Sequence, residues 1–350
     1  MFRAWLGIIA IGAALWAGAG VGRAETVEDF YKGRKVRFIV GSNTGGSYDS
    51  YSRLLAAHLG KHLPGGPTFT VENMPGASGM QSANYLSQLA PKDGSVLAMF
   101  NQSMPQRQML EPETIRFDVS KFSWIGAMGN SVNVFVTWHT SGVRTLDDAR
   151  RKEVVMGALS SDGGNAVYPL LLNKYLGTRF KVVLGYPGGN TIQLAMERGE
   201  VDGRGSVVWS GFKANWPHWI AEQKVNVLVQ VGLAKDPDLP DVPLLLDLAK
   251  SPAEASIYRF ISSDGPMQFP VLAPPGVPAD RLAALRKAFA ATMTDPDFIK
   301  ASEERKLPIR YTSGEEVEQI VSAMISTPKD VIGKLKQDLA DAEAGAKAKN

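Results

Sequence analysis

Short apolar runs alternate with glycine-bearing polar loops along most of the chain, and each such pair predicts a strand leading into a helix. Val36–Val40 is the first run, β-branched at Val36, Ile39 and Val40. Gly41-Ser42-Asn43-Thr44-Gly45-Gly46 follows. Next comes a helix with Ser47 or Asp49 as the expected N-cap and with Tyr51, Leu54, Leu55 and Leu59 at helical spacing. Phe69–Val71 predicts a second strand, Asn73–Gly79 another small-residue loop, and Asn84, Tyr85 and Leu89 a second helix. Val96–Phe100 predicts a third strand, ending at Asn101-Gln102-Ser103. Three strand–helix units in series imply a parallel sheet with right-handed crossovers. Trp124–Gly129 and Val132–Thr137 read as strands, with a crossing into a second lobe near Gly129-Asn130.

The second lobe repeats the plan. Leu146–Arg151 predicts a helix, Val154–Gly157 a strand, and Ser160-Ser161-Asp162-Gly163-Gly164-Asn165 a loop. A helix over Val167–Leu176 would hold Pro169 in its first turn. Lys181–Leu184 is strand-like, Tyr186-Pro187-Gly188-Gly189-Asn190 the next loop, and Thr191–Arg198 a helix stopped by Gly199. Val201–Ser206 opens another strand, and Val225–Val231 is the last. Proline-rich Asp236–Pro243 reads as the return linker, and Phe269–Ala273 as a strand back in the first lobe. Helices then follow over Ala279–Met293, after the capping box Ser313/Glu316, and from Thr327-Pro328. The expected division is an export signal at 1–24, first lobe at 25–130, second lobe at 131–235, and linker plus first lobe at 236–350.

A chain of 350 residues suits two lobes. The absence of cysteine removes disulfides, thiolate metal sites and cysteine nucleophiles. Arg3, the uncharged stretch Trp5–Val21 and Gly22-Arg23-Ala24 read as an export signal, with the mature chain starting at about Glu25 in the periplasm. Without Arg3 and Arg23, 36 basic residues face 35 acidic ones, so nothing suggests a nucleic-acid surface.

The loops carry the candidate chemistry. Gly41–Asp49 joins a strand to a helix N-terminus, where unpaired N–H groups and the helix dipole favour an anion. No lysine follows Gly46 and the Gly-x-Gly-x-x-Gly spacing is missing, which turns the loop from nucleotides toward carboxylates. The candidate ligand residues are Ser42, Asn43, Thr44, Gly45, Gly46, Ser47, Asp49, Asn101 and Gln102 in the first lobe. In the second they are Ser160, Ser161, Gly163, Asn165, Tyr186, Gly188, Gly189, Asn190, Arg204 and Ser206. Asp49 caps its helix, touches ligand, or both. Arg204 is either a fork for a ligand carboxylate or a surface arginine. His58 and His62 sit four apart on a helix without the Glu of a zinc motif and read as a solvated face. Trp209, Trp216 and Trp219 read as packing residues. No cofactor or metal is expected.

At these loops the sequence resembles the extracytoplasmic solute receptors of tripartite tricarboxylate transporters, the Bug receptors. The matching stretches are VRFIVGSNTGGSYD, VENMPGASG, APKDG, Gly185–Gly189, Arg198–Asp202, Leu239–Pro243 and Ala273–Pro278, in the family's order. The resemblance implies a two-lobed α/β fold of the Venus flytrap kind (type II), each lobe a mainly parallel sheet flanked by helices. It implies a monomer that closes on a small organic acid, through backbone amides of the opening and Tyr186 loops, and passes it to membrane permease subunits. Asn43-Thr44 stands where the family has Pro-Pro, Pro187 where it has Lys, and Ser206 where many members have Asp. The competing readings are a secreted hydrolase with a cleft serine, which needs a histidine partner, and a module presenting ligand to a membrane kinase.

Overall fold

The computed structural model describes residues 25–159, 164–186 and 188–347. Residues 1–24, where the export signal is expected, Ser160, Ser161, Asp162 and Gly163, and Pro187 lie outside these residues. The first lobe begins with α1 (Val27–Tyr31), β1 (Lys35–Val40), α2 (Ser47–His58), β2 (Thr68–Asn73), α3 (Met80–Gln88), β3 (Val96–Met99), α4 (Met104–Leu110) and β4 (Ser123–Gly129). The second lobe opens with β5 (Asn133–Trp138), α5 (Leu146–Arg151), β6 (Val154–Gly157), α6 (Gly164–Leu176), β7 (Phe180–Val183) and α7 (Gly189–Glu197). It continues with β8 (Gly203–Val208), α8 (Trp209–Asn215), α9 (Pro217–Ala221), β9 (Val225–Val231) and α10 (Pro252–Ser262). The chain ends with β10 (Gln268–Ala273), α11 (Ala279–Met293), α12 (Pro296–Glu304), β11 (Thr312–Ser313), α13 (Gly314–Ile325) and α14 (Lys329–Lys347).

Two sheets result, in the orders β11-β4-β10-β3-β1-β2 and β7-β6-β8-β5-β9. The strand–helix units pair in parallel, β1 with β2 and β3, and β6 with β7 and β8. The other pairings between these strands are antiparallel. The sheets are therefore mixed rather than mainly parallel. The crossings explain this. β4 carries the chain out of the first lobe and β10 brings it back alongside, so the neighbours run in opposite directions.

Each sheet is sandwiched between helices over an apolar core. In the first lobe Phe38, Leu54, Leu55 and Phe289 are fully enclosed on one face, and Ala98, Trp124 and Val321 lie on the other. In the second, Phe135, Leu171 and Ile257 share one cluster, and Trp209 and Trp219 pack with Val134 in another, as the packing reading of the tryptophans expected.

Three segments depart from the sequence reading. Asp236–Pro243 packs on the second lobe instead of linking back. Gln230 at the end of β9 bonds to the carbonyls of Leu239, Val242 and Pro243. The return comes later, between α10 and β10. The last helix, α14, folds onto the second lobe, where Ile332 and Leu335 join its core and Asp338 pairs with Lys174 at 2.6 Å. Pro169 lies inside α6 rather than in its first turn, because the helix already runs from Gly164.

Candidate functional site

The opening loop is built by an acid. Gly46, not Ser47 or Asp49, is the N-cap of α2, and its side-chain position offers no cap. Asp49, in the first turn, reaches back instead. Its Oδ2 accepts from the Gly45 N–H at 2.9 Å and from Arg53 Nε at 3.0 Å. Its Oδ1 accepts from the Asn73 amide at 2.9 Å. Asn73, at the end of β2, also donates to the Ser42 carbonyl at 3.0 Å and accepts from Thr44 Oγ1 at 3.2 Å. Burial acts to raise the Asp49 pKa, but Arg53, Gly45 N–H and Asn73 outweigh it and hold the carboxyl below its usual range. Buried and fully engaged, Asp49 shapes the loop rather than facing solvent. It also takes up the Gly45 N–H, so the free donors are the first-turn N–H groups of α2, which have no carbonyl four residues back. Asn43, Thr44, Gly45, Gly46 and Ser47 are exposed around them.

The ends of β2 and β3 complete this rim. A Cβ on Gly41 would lie 2.6 Å from Ser82 Oγ and 2.7 Å from Phe100 Cβ, so only glycine lets the loop lie on its neighbours. Gln102 Oε1 accepts from the Tyr48 hydroxyl, which binds the end of β3 to the start of α2. Asn101 turns inward, its Oδ1 accepting from Ser103 N–H and Oγ at 2.9 and 2.8 Å.

The second rim lies at the carboxyl ends of β6, β7 and β8, where open α/β sheets bind ligands. Arg204 and Ser206, two apart on β8, share a face of the strand. A Cβ on Gly164, at the start of α6, would lie 3.0 Å from Ser206 Oγ. A Cβ on Gly189, at the start of α7, would lie 2.5 Å from a nitrogen of the Arg204 guanidinium. Ser206 holds φ at +52°, strain of the kind that clusters at ligand sites. Asn165 is buried, its Oδ1 unpartnered among the described residues. Gly188 caps α7 through Thr191, whose hydroxyl donates to its carbonyl at 2.6 Å. Tyr186 is half-buried against Gly157, and Asn190 is exposed.

Arg204 is the electrostatic centre of this rim. Among the described residues its Nε is sealed from solvent without a partner, and no carboxylate pairs with it. Burial lowers its pKa to about 10, which leaves it charged at neutral pH. It sits under the N-terminus of α7, where the helix dipole adds positive potential. A cation enclosed beside another positive pole is costly unless an anion joins it.

Sequence reasoning missed the residues that join the rims. Tyr48 stands in the first turn of α2 and Tyr168 one turn into α6, where its hydroxyl donates to the Ile261 carbonyl at 3.3 Å. Burial raises the pKa of both, and a charged Asp264 in the return crossing raises it further. Asp264 lies in a Ser-Ser-Asp-Gly-Pro stretch that reads locally as an ordinary turn. The histidines sit apart from this arrangement. His62 bonds Asp295 at 2.6 Å, His58 packs on Phe298, His139 on Trp138 and His218 on Trp219.

Comparison with known proteins adds the following. Residues 52–337 match the family described as the tripartite tricarboxylate transporter family receptor, TctC. A Cupriavidus necator protein described as "UPF0065 protein in gbd 5'region" is 25% identical over 358 residues, spanning 95% of this chain and 97% of its own. A TctC solute binding protein from Polaromonas, solved without ligand, superposes with a TM-score of 0.65 at 18% identity, covering 87% of this chain and 99% of its own. MatC from Rhodopseudomonas palustris, solved with bound malate, gives 0.60 at 20% identity, covering 85% and 99%. At these identities the solved structures speak for the fold alone.

Proposed function

The chain belongs to the tripartite tricarboxylate transporter receptor family, and on that premise we propose that it captures a small organic carboxylate between its lobes and delivers it to the permease subunits of such a transporter. The single observation that carries this reading is Arg204, whose Nε is sealed and unpartnered beneath a helix N-terminus, with no carboxylate paired to it among the described residues. A carboxylate there removes the cost of the unpaired cation and makes charge-assisted hydrogen bonds of about 1.5–3 kcal/mol each. Three to five such bonds cover the roughly 8 kcal/mol of a micromolar receptor after ordering costs.

In this reading the first-lobe contacts come from Ser42, Asn43, Thr44, Gly46 and Ser47 with the first-turn N–H groups of α2, and from Gln102. The second-lobe contacts come from the loop at 160–165, from Tyr186, Gly188, Gly189 and Asn190, and from Arg204 and Ser206. Asp49 acts one step back, holding the opening loop. The bound malate of MatC is in keeping with such a solute. Export through the segment at 1–24 and action as a periplasmic monomer belong to the same proposal.

Thermal shift of the mature protein against malate, succinate, adipate, citrate and benzoate tests it. A solute at 100 times its Kd adds about 2.7 kcal/mol of stability. No shift with any of these acids sinks the carboxylate reading, and an equal shift in Arg204→Gln removes Arg204 from it.

A further inference from the structure

The crossings between the lobes hold an acid that the solute site leaves unused. Asp264, between α10 and β10, is 6% exposed, and its Oδ1 has no hydrogen-bond partner among the described residues. Its neighbour Gly265 accepts from the Ser131 N–H at 3.3 Å, and Gln268 donates to the Ser131 carbonyl at 3.1 Å. Asp264 therefore sits where the outgoing and returning crossings touch.

One tyrosine from each lobe feels its charge, Tyr48 in α2 and Tyr168 in α6, burial raising the pKa of each phenol and a negative Asp264 pushing it further up. Neither hydroxyl donates to it. Tyr48 donates to Gln102 Oε1, and Tyr168 to the Ile261 carbonyl at 3.3 Å. Among the described residues no lysine, arginine or histidine acts on the carboxyl, and its only compensation is its own backbone N–H.

We propose that Asp264 is a proton-operated latch between the lobes. Neutral, it stays enclosed where the crossings touch and keeps them together as in this structure. Ionised, it draws water into the crossings and lets the lobes part.

The physical reason is the difference between burying an acid and burying its anion. A carboxylate with neither a counter-ion nor enough donors is expensive to enclose, whereas the acid is not. Burial pushes the Asp264 carboxyl up to about 7. Any arrangement that hydrates the group returns it toward the ordinary range of about 4. The enclosed arrangement thus binds the proton more tightly, and lowering the pH favours it. Both rims ride on this switch, since Tyr48 directly follows Ser47 and Tyr168 lies one turn after Gly164. Acid favours retention of solute, and rising pH favours release. The latch is a property of the lobe equilibrium itself, so it stands or falls whatever the solute is.

Small-angle scattering of the ligand-free mature protein, titrated between about pH 5.5 and 8.5, tests it. The expected result is one transition to a larger radius centred near neutrality, with the ratio of parted to joined molecules rising by up to tenfold per pH unit. Asp264→Asn, which keeps all four histidines, should stay in the joined form throughout. The absence of a transition in the wild type, or the same transition in Asp264→Asn, overturns the latch. Should that variant not fold, carboxyl carbon NMR of aspartate-labelled wild-type protein decides. One aspartate must titrate near neutrality together with the scattering change, and titration of every aspartate below about pH 5 overturns the proposal.

Discussion

Gly189 lies directly on Arg204. A Cβ at Gly189 would come within 2.5 Å of one guanidinium nitrogen and 3.0 Å of the guanidinium carbon. The start of α7 and the cation it covers are thus one unit. Because the atoms in the way are the far end of a flexible side chain, the conflict resolves by moving Arg204, not by unfolding. Gly189→Ala should therefore leave the apo melting temperature nearly unchanged while lowering affinity for the best-binding acid at least tenfold, about 1.4 kcal/mol. Calorimetric titration against that acid checks it, and unchanged affinity would show that the position of Arg204 is irrelevant to binding.

Arg204 itself should show the signature of a residue kept for a ligand. Its Nε is sealed without a partner among the described residues, a net cost when no ligand is bound. Arg204→Met should raise the apo melting temperature, by roughly 2 °C for each ~1 kcal/mol recovered in a chain of this size, while carboxylate binding falls. A drop in apo stability would mean that Arg204 has a structural partner instead.

Gly46 and Gly41 should separate the face of the opening loop from its underside. A Cβ on Gly46 meets nothing closer than 3.5 Å, whereas one on Gly41 runs into Ser82 and Phe100 at 2.6 and 2.7 Å. Gly46→Ala should keep the fold and weaken binding. Gly41→Ala should destabilise the apo protein by about 1–3 kcal/mol, the usual range for overpacking. Denaturant unfolding of both, with binding measured on the folded fraction, checks the contrast.

The Asp49 anchor gives an acid-side dependence. Its folded pKa lies below the ordinary aspartate value, so its contribution is present above the unfolded pKa and lost as pH falls through the folded one. Asp49→Asn should cost stability at neutral pH, by about 1–3 kcal/mol for a lost charge-assisted network. The gap to wild type should narrow below about pH 4, where the wild-type carboxyl also becomes neutral. Urea unfolding of both at neutral and acid pH checks it, and a gap that does not depend on pH would mean that the charge contributes nothing.

Much of the two-lobed plan is legible residue by residue. The helix at Leu146–Arg151 and the strands at Val154–Gly157 and Val225–Val231 coincide with the sequence reading, because apolar period and local caps specify them. The Ser313/Glu316 capping box forms as its spacing predicts. Asp49 and Asp264 show where this stops. Both are short acids in glycine-bearing stretches. One is surrounded by Arg53, Asn73 and the Gly45 N–H, the other is buried with its Oδ1 unpartnered among the described residues. Arg53 and Gly45 lie four residues either side of Asp49 and are legible locally, but Asn73 and the burial of Asp264 come from other segments.

The sequence by itself determined the alternation of strands and helices, the glycine loops at helix starts and the lack of a phosphate motif. These depend on backbone preference and on neighbours within a few residues. Only the tertiary structure decided the rest. It made the sheets mixed, through the side-by-side crossings at β4 and β10. It folded Asp236–Pro243 and α14 onto the second lobe, turned Asp49 inward, and left Arg204 Nε and Asp264 Oδ1 buried without partners among the described residues. Burial and pairing are properties of a residue's surroundings, and here those surroundings are assembled from segments far apart in the chain.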